Sequence, residues 1–267
     1  MSALVIAVVY PDLLGTYGDG GNGTVLAQRA AWRGVDVDLI QADSGRPLPM
    51  ADLYCIGGGE DGPQVRAASA LIADGTLRRS VEHGAVVLGV CAGFQLLGHT
   101  FPDSRDQPRD GVGLLDLVTR KGQGQRAVGE LVAAISSEAP KLPGGGVLPP
   151  LTGFENHGGV SQVGPGSRAL ARVVRGVGNG AGHGDEGAWS PGVLGTYLHG
   201  PVLARNTALA DLLLGWAMFG VSNDTALAPL DDTEEEALRI ERLAAVTEAG
   251  RRGRRLRELG ARVSRRR

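Results

Sequence analysis

The sequence predicts an α/β fold built on a mostly parallel β-sheet flanked by helices. Short apolar runs rich in β-branched residues alternate with helix-compatible segments, which is the pattern of chains that cross and recross a parallel sheet. One such run, within residues 84–98, enters a helix directly after a cysteine. The 267 residues include 43 glycines without a repeat, and this content favours tight turns and long loops at the sheet edge.

The beginning of the chain predicts a βαβ unit. Its strand, helix and second strand are expected at residues 4–10, 24–33 and 35–41. A glycine-rich loop, residues 11–23, joins the first strand to the helix. Polar side chains in such a loop are candidates for function, and here they are Tyr17, Asp19 and Asn22.

Cys91 carries the strongest chemical signal, because it stands between a strand at residues 85–90 and a helix at residues 92–97. A turn this tight needs small neighbours, which are Gly89, Ala92 and Gly93. Backbone N–H groups at a helix start stabilise negative charge and so favour a thiolate. The alternative is a buried structural cysteine, but the strand–cysteine–helix context favours a nucleophile.

A neighbouring strand, at residues 53–56, ends in a glycine triplet at residues 57–59. Glycines at a strand end let backbone amides face a ligand without interference from Cβ, as in an oxyanion hole. A helix at residues 63–74, extended towards residue 80, then leads to the cysteine strand. Right-handed crossovers place both strand ends at one edge of the sheet. Cys55 falls inside the strand and is expected in the core.

After residue 111 the pattern changes to shorter, glycine-broken segments, at residues 114–119, 128–133 and 141–150. No Gly-Lys-Ser or Gly-Lys-Thr occurs, so a Walker-type nucleotide loop is absent and any ATP chemistry is expected on another chain. Glu155, Asn156 and His157 precede two glycines and fit either a strand-end binding loop or a solvent loop. Residues 176–187, which include His183, are expected to form a solvated loop.

Residues 192–201 predict an apolar strand that ends at His199, before a glycine and a proline. A thiol nucleophile needs a base that also protonates a leaving amine, and histidine is the usual choice. His83 and His99 flank the nucleophile segment without an obvious route to the thiol. His157 also follows a strand, but His199 is predicted to be the base because its strand is longer and stops sharply.

Two further helices are expected, at residues 204–219 and 231–248. We therefore divide the chain into a catalytic domain at residues 1–230 and a C-terminal helix with a basic tail at residues 231–267. Nine arginines in residues 251–267 oppose one glutamate, so this segment carries +8 and the rest −10 of the net −2. The simplest interpretation is a solvated, frayed end, and no nucleic-acid partner is expected.

No apolar run reaches the roughly 18 residues of a membrane span. The N-terminus also lacks the basic start and small-residue cleavage pattern of a secretory signal. Only two cysteines occur, without metal-type spacing, and a free nucleophilic thiol suits a reducing compartment. A cytoplasmic location is therefore expected.

Several motifs in combination resemble a known family. The segments GVCAGFQ, IGGG and TYLHGP are similar to the class I, triad-type glutamine amidotransferases, in the branch related to cobyric acid synthase. The segments YGDGGN and FENHGG resemble the GatD-type glutaminase subunits of lipid II isoglutaminyl synthase within that branch. The resemblance spans about residues 4–219 and leaves the arginine-rich tail uncovered.

The resemblance implies a flavodoxin-like fold and a glutaminase. Glutamine would be hydrolysed through a γ-glutamyl thioester on Cys91, with His199 as the base. Gly58 and Ala92 would supply oxyanion amides, and Arg126 would pair with the α-carboxylate of glutamine. The remaining substrate contacts would come from Gln95, Asn156 and His157.

The family also implies a partner, a MurT-like ligase subunit that forms a heterodimer with the glutaminase. The partner would use ATP and Mg²⁺ to activate the α-carboxyl of D-glutamate in the lipid II stem peptide, in peptidoglycan synthesis. Ammonia from glutamine would then form D-isoglutamine. No cofactor and no metal is expected in this chain.

Two questions stay open at this stage. Most triad amidotransferases have an acid two residues after the histidine, but Gly200 and Pro201 follow His199 here. Either Asp19 or a carboxylate of the partner would complete the triad, and we favour the partner because it would couple hydrolysis to assembly. The other functions considered are cobyric-acid-type amidation, a DJ-1-like cysteine hydrolase and a non-catalytic regulatory subunit.

Overall fold

The computed structural model describes residues 3–182 and 184–245. Its strands are β1 (Leu4–Val9), β2 (Val37–Ala42), β3 (Leu53–Ile56), β4 (Val86–Val90), β5 (Thr100–Pro102), β6 (Pro108–Asp110), β7 (Leu117–Lys121), β8 (Ala127–Ile135), β9 (Leu151–His157), β10 (Gly159–Val163), β11 (Ala171–Arg175), β12 (Asp185–Glu186), β13 (Ala188–Ser190) and β14 (Val193–Thr196). Its helices are α1 (Pro11–Leu14), α2 (Gly21–Ala31), α3 (Asp61–Asp74), α4 (Thr76–Glu82), α5 (Ala92–Leu97), α6 (Val202–Arg205) and α7 (Thr207–Phe219), and residues 233–245 are also helical.

A six-stranded sheet forms the centre of the fold, in the order β13-β14-β4-β3-β1-β2. All neighbouring strands in it are parallel except the edge pair β13 and β14. Every residue of β3, β4 and β14 is buried, which explains why these strands are apolar without alternation. The carboxyl ends of β1, β3, β4 and β14 therefore meet at one edge of the sheet.

Two further sheets have four strands each, in the orders β10-β7-β5-β6 and β12-β11-β8-β9. The second is antiparallel, and its longest strand pairing is that of β8 with β9, which begins where Ala127 lies opposite His157. A single bridge between Phe154 and His199 connects β9 to the segment after β14. These sheets thus place β9 beside the strand end that carries His199.

The predicted α/β class and the mostly parallel sheet are confirmed. Strand β3 and helix α5 have the expected bounds, and β1 and β4 differ from theirs by one residue at one end. The prediction of a loop at residues 11–23 was wrong in part, because α1 occupies its first four residues and α2 begins at Gly21. The expected strand at residues 192–201 ends at Thr196, and residues 141–150 contain only a 3₁₀ turn, Pro143–Gly145.

Two expected helices are each divided in two. Gly75 adopts φ 69°, a left-handed conformation that ends α3 and starts α4. Asn206 interrupts the other helix, since its side-chain amide exchanges hydrogen bonds of 3.0 and 2.8 Å with the backbone of Thr152. The apolar spacing predicts a continuous helix in both places. The backbone conformation of Gly75 and the hydrogen bonds of Asn206 interrupt it.

A partly buried group of ion pairs connects the end of the described chain to α2. Arg29, only 2% exposed, donates to both oxygens of Asp211 in α7 at 2.8 Å and to Asp232 at 2.6 and 3.0 Å. Arg33 reaches the same Asp211 carboxylate at 2.7 Å. The segment that precedes the last described helix is thereby held against α2 and α7.

Among the described residues no helix is long and apolar enough to cross a membrane. The arginine-rich tail at residues 251–267, and the last residues of the helix expected at 231–248, lie outside the described residues.

Candidate active site

Cys91 occupies a strained turn between β4 and α5. Its backbone has φ 53° and ψ −104°, which is unusual for a residue other than glycine. The neighbouring glycines are required, because a Cβ on Gly93 would lie 2.2 Å from the carbonyl oxygen of Ile56 and one on Gly89 would lie 2.8 Å from that of Gly93. The Cys91 amide donates to the carbonyl of Thr196 at 2.9 Å. The sulfur is thus held at the sheet edge, as a nucleophile elbow requires.

His199 reaches the same place from the segment after β14. Its backbone pairs with Phe154, with N–H···O distances of 2.8 and 3.1 Å. Its ring is only 3% exposed, and Nε2 has no hydrogen-bond partner among the described residues, whereas Nδ1 lies 2.8 Å from Oδ2 of Asp19. The ring therefore has one nitrogen fixed and the other free to act on a ligand.

Asp19 belongs to the glycine-rich loop between α1 and α2 and is 1% exposed. Its Oδ2 atom contacts Nδ1 of His199 and also accepts a 2.9 Å hydrogen bond from the Gly58 amide. Asn22 holds the loop by donating to the Asp19 carbonyl at 3.0 Å. The structure thus brings together Asp19 and His199, one of the two arrangements that the sequence left open.

The Gly58 amide faces Asp19 in this arrangement, so its expected part in an oxyanion hole would require this hydrogen bond to be exchanged. A side chain has no room here, because a Cβ on Gly58 would lie 2.8 Å from the His199 ring and 3.0 Å from the Asp19 carboxylate. Ala92, the other expected donor, lines the cavity beside Cys91. Gly58 is therefore needed for close packing around the histidine.

The electrostatic environment favours a protonated His199. Burial acts to lower the pKa of His199, but the hydrogen bond to Asp19 and the nearby sulfur of Cys91 outweigh it and raise the pKa to about 10. The imidazolium form therefore prevails near neutral pH. This form is the one that donates a proton to a leaving amine.

A cavity of about 230 Å³ opens in front of the Cys91 sulfur. It is lined by most of the residues for which the sequence predicted a substrate contact, namely Ala92, Gln95, Arg126, Asn156 and His157. Charged groups of both signs also line it: Glu60, Asp61, Asp103, Lys121 and Arg126. A larger cavity of about 570 Å³, between Trp189 and Trp216, contains none of the predicted site residues.

Arg126 lies at the mouth of the cavity, on the exposed bend before β8. Its Nε donates to the side-chain oxygen of Asn156 at 2.6 Å, and its Nη2 donates to the Asn156 carbonyl at 3.1 Å. The same carbonyl lies 3.9 Å from the Cys91 sulfur. Asn156 thus contacts both the guanidinium and the Cys91 sulfur.

Gln95 and His157 are more enclosed than the sequence suggested. Gln95 accepts from Gln64 at 2.9 Å and donates to the Tyr197 hydroxyl at 3.1 Å. His157 stacks on the Tyr197 ring, with centroids 3.7 Å apart, and is 3% exposed. Both side chains therefore belong to the wall of the cavity, where Tyr197 supports them.

The binding loop expected at Glu155–His157 was wrong in its local structure, because these residues end strand β9. Pairing with β8 satisfies their backbone, and the Glu155 carboxylate accepts from the amides of Val177 and Gly178 at 2.8 to 3.1 Å. Three successive polar residues lack the alternation that predicts a strand. The strand forms here because the Glu155 carboxylate is buried against backbone amides.

The loop expected at residues 176–187 was also wrong in part, because it contains β12 and the fully buried Glu186. The Glu186 carboxylate accepts from the Thr196 hydroxyl and from the Tyr197 amide at 2.9 Å, next to the active-site strand end. Burial raises the pKa of Glu186 to about 7, against the opposing effect of these hydrogen bonds. His183 lies outside the described residues.

The other candidates are accounted for. Cys55 is 2% exposed in β3, and burial raises the pKa of its thiol to about 12, so its prediction as a core residue is confirmed. His83 contacts the Arg79 carbonyl and His99 contacts Asp116, both away from the cavity. Among the described residues no group of three or more His, Cys, Asp or Glu side chains is placed to hold a metal ion.

Sequence reasoning missed three supporting residues, Gln64, Tyr197 and Glu60. Gln64 and Tyr197 hold Gln95 from two sides, and Glu60 accepts from the Tyr17 hydroxyl at 3.0 Å. Their neighbours gave a signal, because Tyr197 lies in the quoted TYLHGP segment and Glu60 follows the glycine triplet. Only the folded arrangement shows what these side chains contact.

Comparison with known proteins shows that the chain is similar to glutamine amidotransferases. Residues 5–207 match the family of CobB/CobQ-like glutamine amidotransferase domains. The GatD subunit of the glutamine-hydrolyzing lipid II isoglutaminyl synthase from Staphylococcus aureus (strain N315) is 34% identical over 217 residues, which cover 80% of this chain and 84% of that protein. The same subunit from Streptococcus pneumoniae (strain ATCC BAA-255 / R6) is 32% identical over 218 residues, and 80% of each chain is covered.

Cobyric acid synthase from Pelotomaculum thermopropionicum is 36% identical over 196 residues, which cover 67% of this chain but 35% of that protein. Two solved structures share the fold. One is a glutamine amidotransferase with a TM-score of 0.54 at 19% identity, covering 79% of this chain and 98% of that chain. The other is the Trypanosoma brucei CTPS glutaminase domain with bound acivicin, with a TM-score of 0.51 at 13% identity, covering 85% and 97%.

Proposed function

Because the chain belongs to the family of CobB/CobQ-like glutamine amidotransferase domains, we propose that it is the glutaminase subunit of a two-subunit, ATP-dependent amidating ligase. It hydrolyses L-glutamine at Cys91 and delivers ammonia to a MurT-like partner. The observation that carries the proposal is the buried arrangement of Cys91, His199 and Asp19 behind a cavity of about 230 Å³.

In the first step, the Cys91 sulfur attacks the side-chain carbonyl carbon of glutamine. The carbon–nitrogen bond breaks, and His199 donates its Nε2 proton to the departing ammonia. The product on the enzyme is a γ-glutamyl thioester. The raised pKa of His199 supports this step, because the imidazolium is present before the amine leaves.

In the second step, water attacks the thioester, and His199 accepts the proton of the water. The carbon–sulfur bond breaks and glutamate leaves, which restores the thiolate and the imidazolium. The overall reaction converts glutamine and water to glutamate and ammonia. Formation of the thioester removes the Coulombic effect of Cys91 that helps to raise the pKa of His199, so the ring becomes a better base for this step.

Asp19 is proposed as the third member of the triad, in place of the partner carboxylate that the sequence favoured. Its contact with Nδ1 fixes the ring and leaves Nε2 for the proton transfers. Because the acid is internal, hydrolysis does not require a partner side chain for this role.

The substrate contacts are assigned from the cavity lining. Arg126 pairs with the α-carboxylate of glutamine, helped by Asn156, while Gln95 and His157 shape the channel for the substrate side chain. The amide of Ala92 stabilises the oxyanion together with that of Gly58, once Gly58 has exchanged its bond to Asp19. No cofactor is assigned to this chain, and ATP with Mg²⁺ belongs to the partner.

The relatives support lipid II as the acceptor, and we propose that the amidated group is the α-carboxyl of its D-glutamate, in peptidoglycan synthesis on the cytoplasmic side. The chain spans most of the two GatD subunits but about a third of the cobyric acid synthase, which favours a separate glutaminase subunit over cobyric-acid-type amidation. The family match over residues 5–207 favours a glutamine amidotransferase over a DJ-1-like hydrolase, which predicts no ammonia transfer.

The proposal is tested by following amide-¹⁵N glutamine. The full chain is co-purified with its ligase partner, and ¹⁵N is measured in ammonia and in the amidated lipid II stem peptide, with glutamate release measured in parallel. We expect ¹⁵N transfer that depends on ATP and on this chain. Glutamate release without transfer to any acceptor would favour a stand-alone hydrolase, and the absence of glutamate release would overturn the glutaminase assignment.

A further inference from the structure

The mouth of the active-site cavity holds two opposite charges joined through one neutral hydroxyl. The Tyr17 hydroxyl donates to Oε1 of Glu60 at 3.0 Å and accepts from Nη2 of Arg126 at 3.4 Å. Glu60 and Arg126 both line the cavity in front of Cys91. No mechanism step described above uses Glu60 or the Tyr17 hydroxyl.

Neither charge is neutralised by an ion pair. Among the residues that the structure describes, no salt bridge of Glu60 or Arg126 is present, and Arg126 donates to Asn156 through Nε and Nη2. Glu60 is the residue before α3, yet its side chain does not cap that helix and turns to Tyr17 instead. A carboxylate and a guanidinium therefore face the same cavity with only a tyrosine hydroxyl between them.

The spacing of these charges suits the head group of a free amino acid. Glu60 Oε1 and Arg126 Nη2 are no more than about 6.4 Å apart, the sum of their distances to the shared hydroxyl. In an α-amino acid the ammonium nitrogen and a carboxylate oxygen, joined through one carbon, are about 3 Å apart. Such a head group, lying between the two side chains, can contact both, once the hydroxyl has withdrawn.

We propose that Glu60 binds the α-ammonium group of glutamine, and that the Tyr17 hydroxyl occupies the head-group position until the substrate arrives. This inference rests on the proposed glutaminase function, in which Glu60 would be the residue that selects the substrate. The site would thereby accept free glutamine and reject amides without an α-ammonium group, including glutamine within a peptide. Tyr17 also packs on His199, with ring centroids 4.9 Å apart, and it belongs to the same loop as Asp19.

The test compares two substrates on matched variants of the full chain with its co-purified partner. L-Glutamine is compared with glutaramate, which has the same amide and carboxylate but no α-ammonium group. The wild type should lose about 10- to 100-fold in kcat/KM on glutaramate, the range expected for one charged hydrogen bond. In Glu60→Gln, kcat/KM for glutamine should fall by a similar factor, mostly through a higher KM. Its kcat/KM for glutaramate should stay close to that of the wild type.

Asp61→Asn is the matched control, since it removes the neighbouring carboxylate that also lines the cavity. Selective loss on glutamine in Asp61→Asn, and not in Glu60→Gln, would overturn the assignment to Glu60. Equal losses on both substrates in Glu60→Gln would overturn an ammonium contact while leaving the glutaminase function intact. If the wild type hydrolyses neither substrate, the glutaminase function itself fails.

Tyr17→Phe tests the placeholder role, because phenylalanine keeps the ring on His199 and removes only the hydroxyl. We expect KM for glutamine to fall about two- to fivefold, since the hydroxyl no longer competes with the head group. A large rise in KM would show that the hydroxyl is itself a substrate contact and would overturn this part of the proposal.

Discussion

Nδ1 of His199 and Oδ2 of Asp19 lie 2.8 Å apart, although 180 residues separate them in the chain. The contact forms because β1 and β14 are parallel members of one sheet, so the loop after one strand meets the segment after the other. The same carboxylate oxygen holds the Gly58 amide, which ties the end of β3 to the pair. Three strand ends are thus joined around the proposed catalytic histidine.

Asp19→Asn is expected to lower kcat for glutamine hydrolysis by about 10³- to 10⁴-fold. The neutral amide neither stabilises the imidazolium nor fixes the correct tautomer of His199. Glutamate release is measured for the isolated chain and for the complex, with Asp12→Asn as a control because Asp12 contacts Ser44 outside the site. A partner-supplied acid predicts a different result, in which the isolated chain is nearly inactive and Asp19→Asn keeps the rate of the complex.

Asp19→Asn should also change the pH profile. The hydrogen bond with Asp19 helps to raise the pKa of His199 against the lowering effect of burial. Without it the imidazolium is lost at lower pH, so residual activity should decline from a lower pH than in the wild type. The measurement is kcat/KM between pH 6 and 10, and an unshifted alkaline limb would show that Asp19 does not control this ionisation.

Cys91→Ser is expected to reduce glutamine hydrolysis at least about a thousandfold while the protein stays folded, because a hydroxyl does not replace the thiolate. The matched control is Cys55→Ala, which removes the other thiol from the buried strand β3. This variant should lower the unfolding temperature and leave the activity per folded molecule nearly unchanged. Mass spectrometry should also find the γ-glutamyl adduct on Cys91, and near-normal turnover in Cys91→Ser would exclude this nucleophile.

Arg126→Ala is expected to raise KM for glutamine by about 10- to 100-fold, with a smaller effect on kcat, because it removes a charge-assisted contact with the α-carboxylate. Arg120→Ala removes an exposed arginine from β7 and serves as the control. Initial rates over a range of glutamine concentrations separate the two constants. An unchanged KM would mean that Arg126 only anchors Asn156.

The sequence predicted the parts of the site whose chemistry depends on local structure. Cys91 was a candidate because a strand, small residues and a helix surround it, and His199 because an apolar strand stops just before it; their catalytic roles stay predictions. The matching family and its relatives confirm the resemblance drawn from the motifs. The central strands were predictable for the same reason, since a sheet buried on both faces leaves a continuous apolar run.

Long-range contacts were not predictable in this way. Nothing in the loop sequence indicates that Asp19 rather than a partner carboxylate meets His199, because that choice depends on the order of strands in the sheet. Glu186 looked like part of a solvated loop, yet it is fully buried, since its two-residue strand is recognisable only by its partner β11. Short polar strands of this kind have no periodicity to detect.

Arg29→Met is expected to lower the free energy of unfolding by about 3 kcal/mol, because Asp211 and Asp232 lose the guanidinium that pairs with both. Activity per folded molecule should be retained, since the network lies between α2, α7 and Asp232 rather than in the cavity. Arg46→Met, on an exposed turn, is the control. Urea unfolding measures the difference, and a change below about 1 kcal/mol would show that the network contributes little.

The last prediction concerns Glu186, whose pKa burial raises to about 7 from an ordinary value of 4.5. A carboxyl group with a higher pKa in the folded than in the unfolded state favours folding while it is protonated. That contribution is complete below about pH 4.5 and is lost as the pH rises towards 7. His157 and Glu155 are the ionisable groups that act on it, the former to lower and the latter to raise its pKa.

Glu186→Gln keeps the acceptor oxygen for Thr196 and Tyr197 but does not ionise. Relative to the wild type, the variant should therefore gain up to about 3 kcal/mol of stability between pH 5 and pH 8. Urea unfolding at several pH values measures both proteins, with Glu130→Gln as a control because Glu130 is partly exposed and paired with Arg205. If the difference between wild type and Glu186→Gln stays constant with pH, Glu186 is ionised throughout this range, and the hydrogen bonds from Thr196 and Tyr197 outweigh its burial.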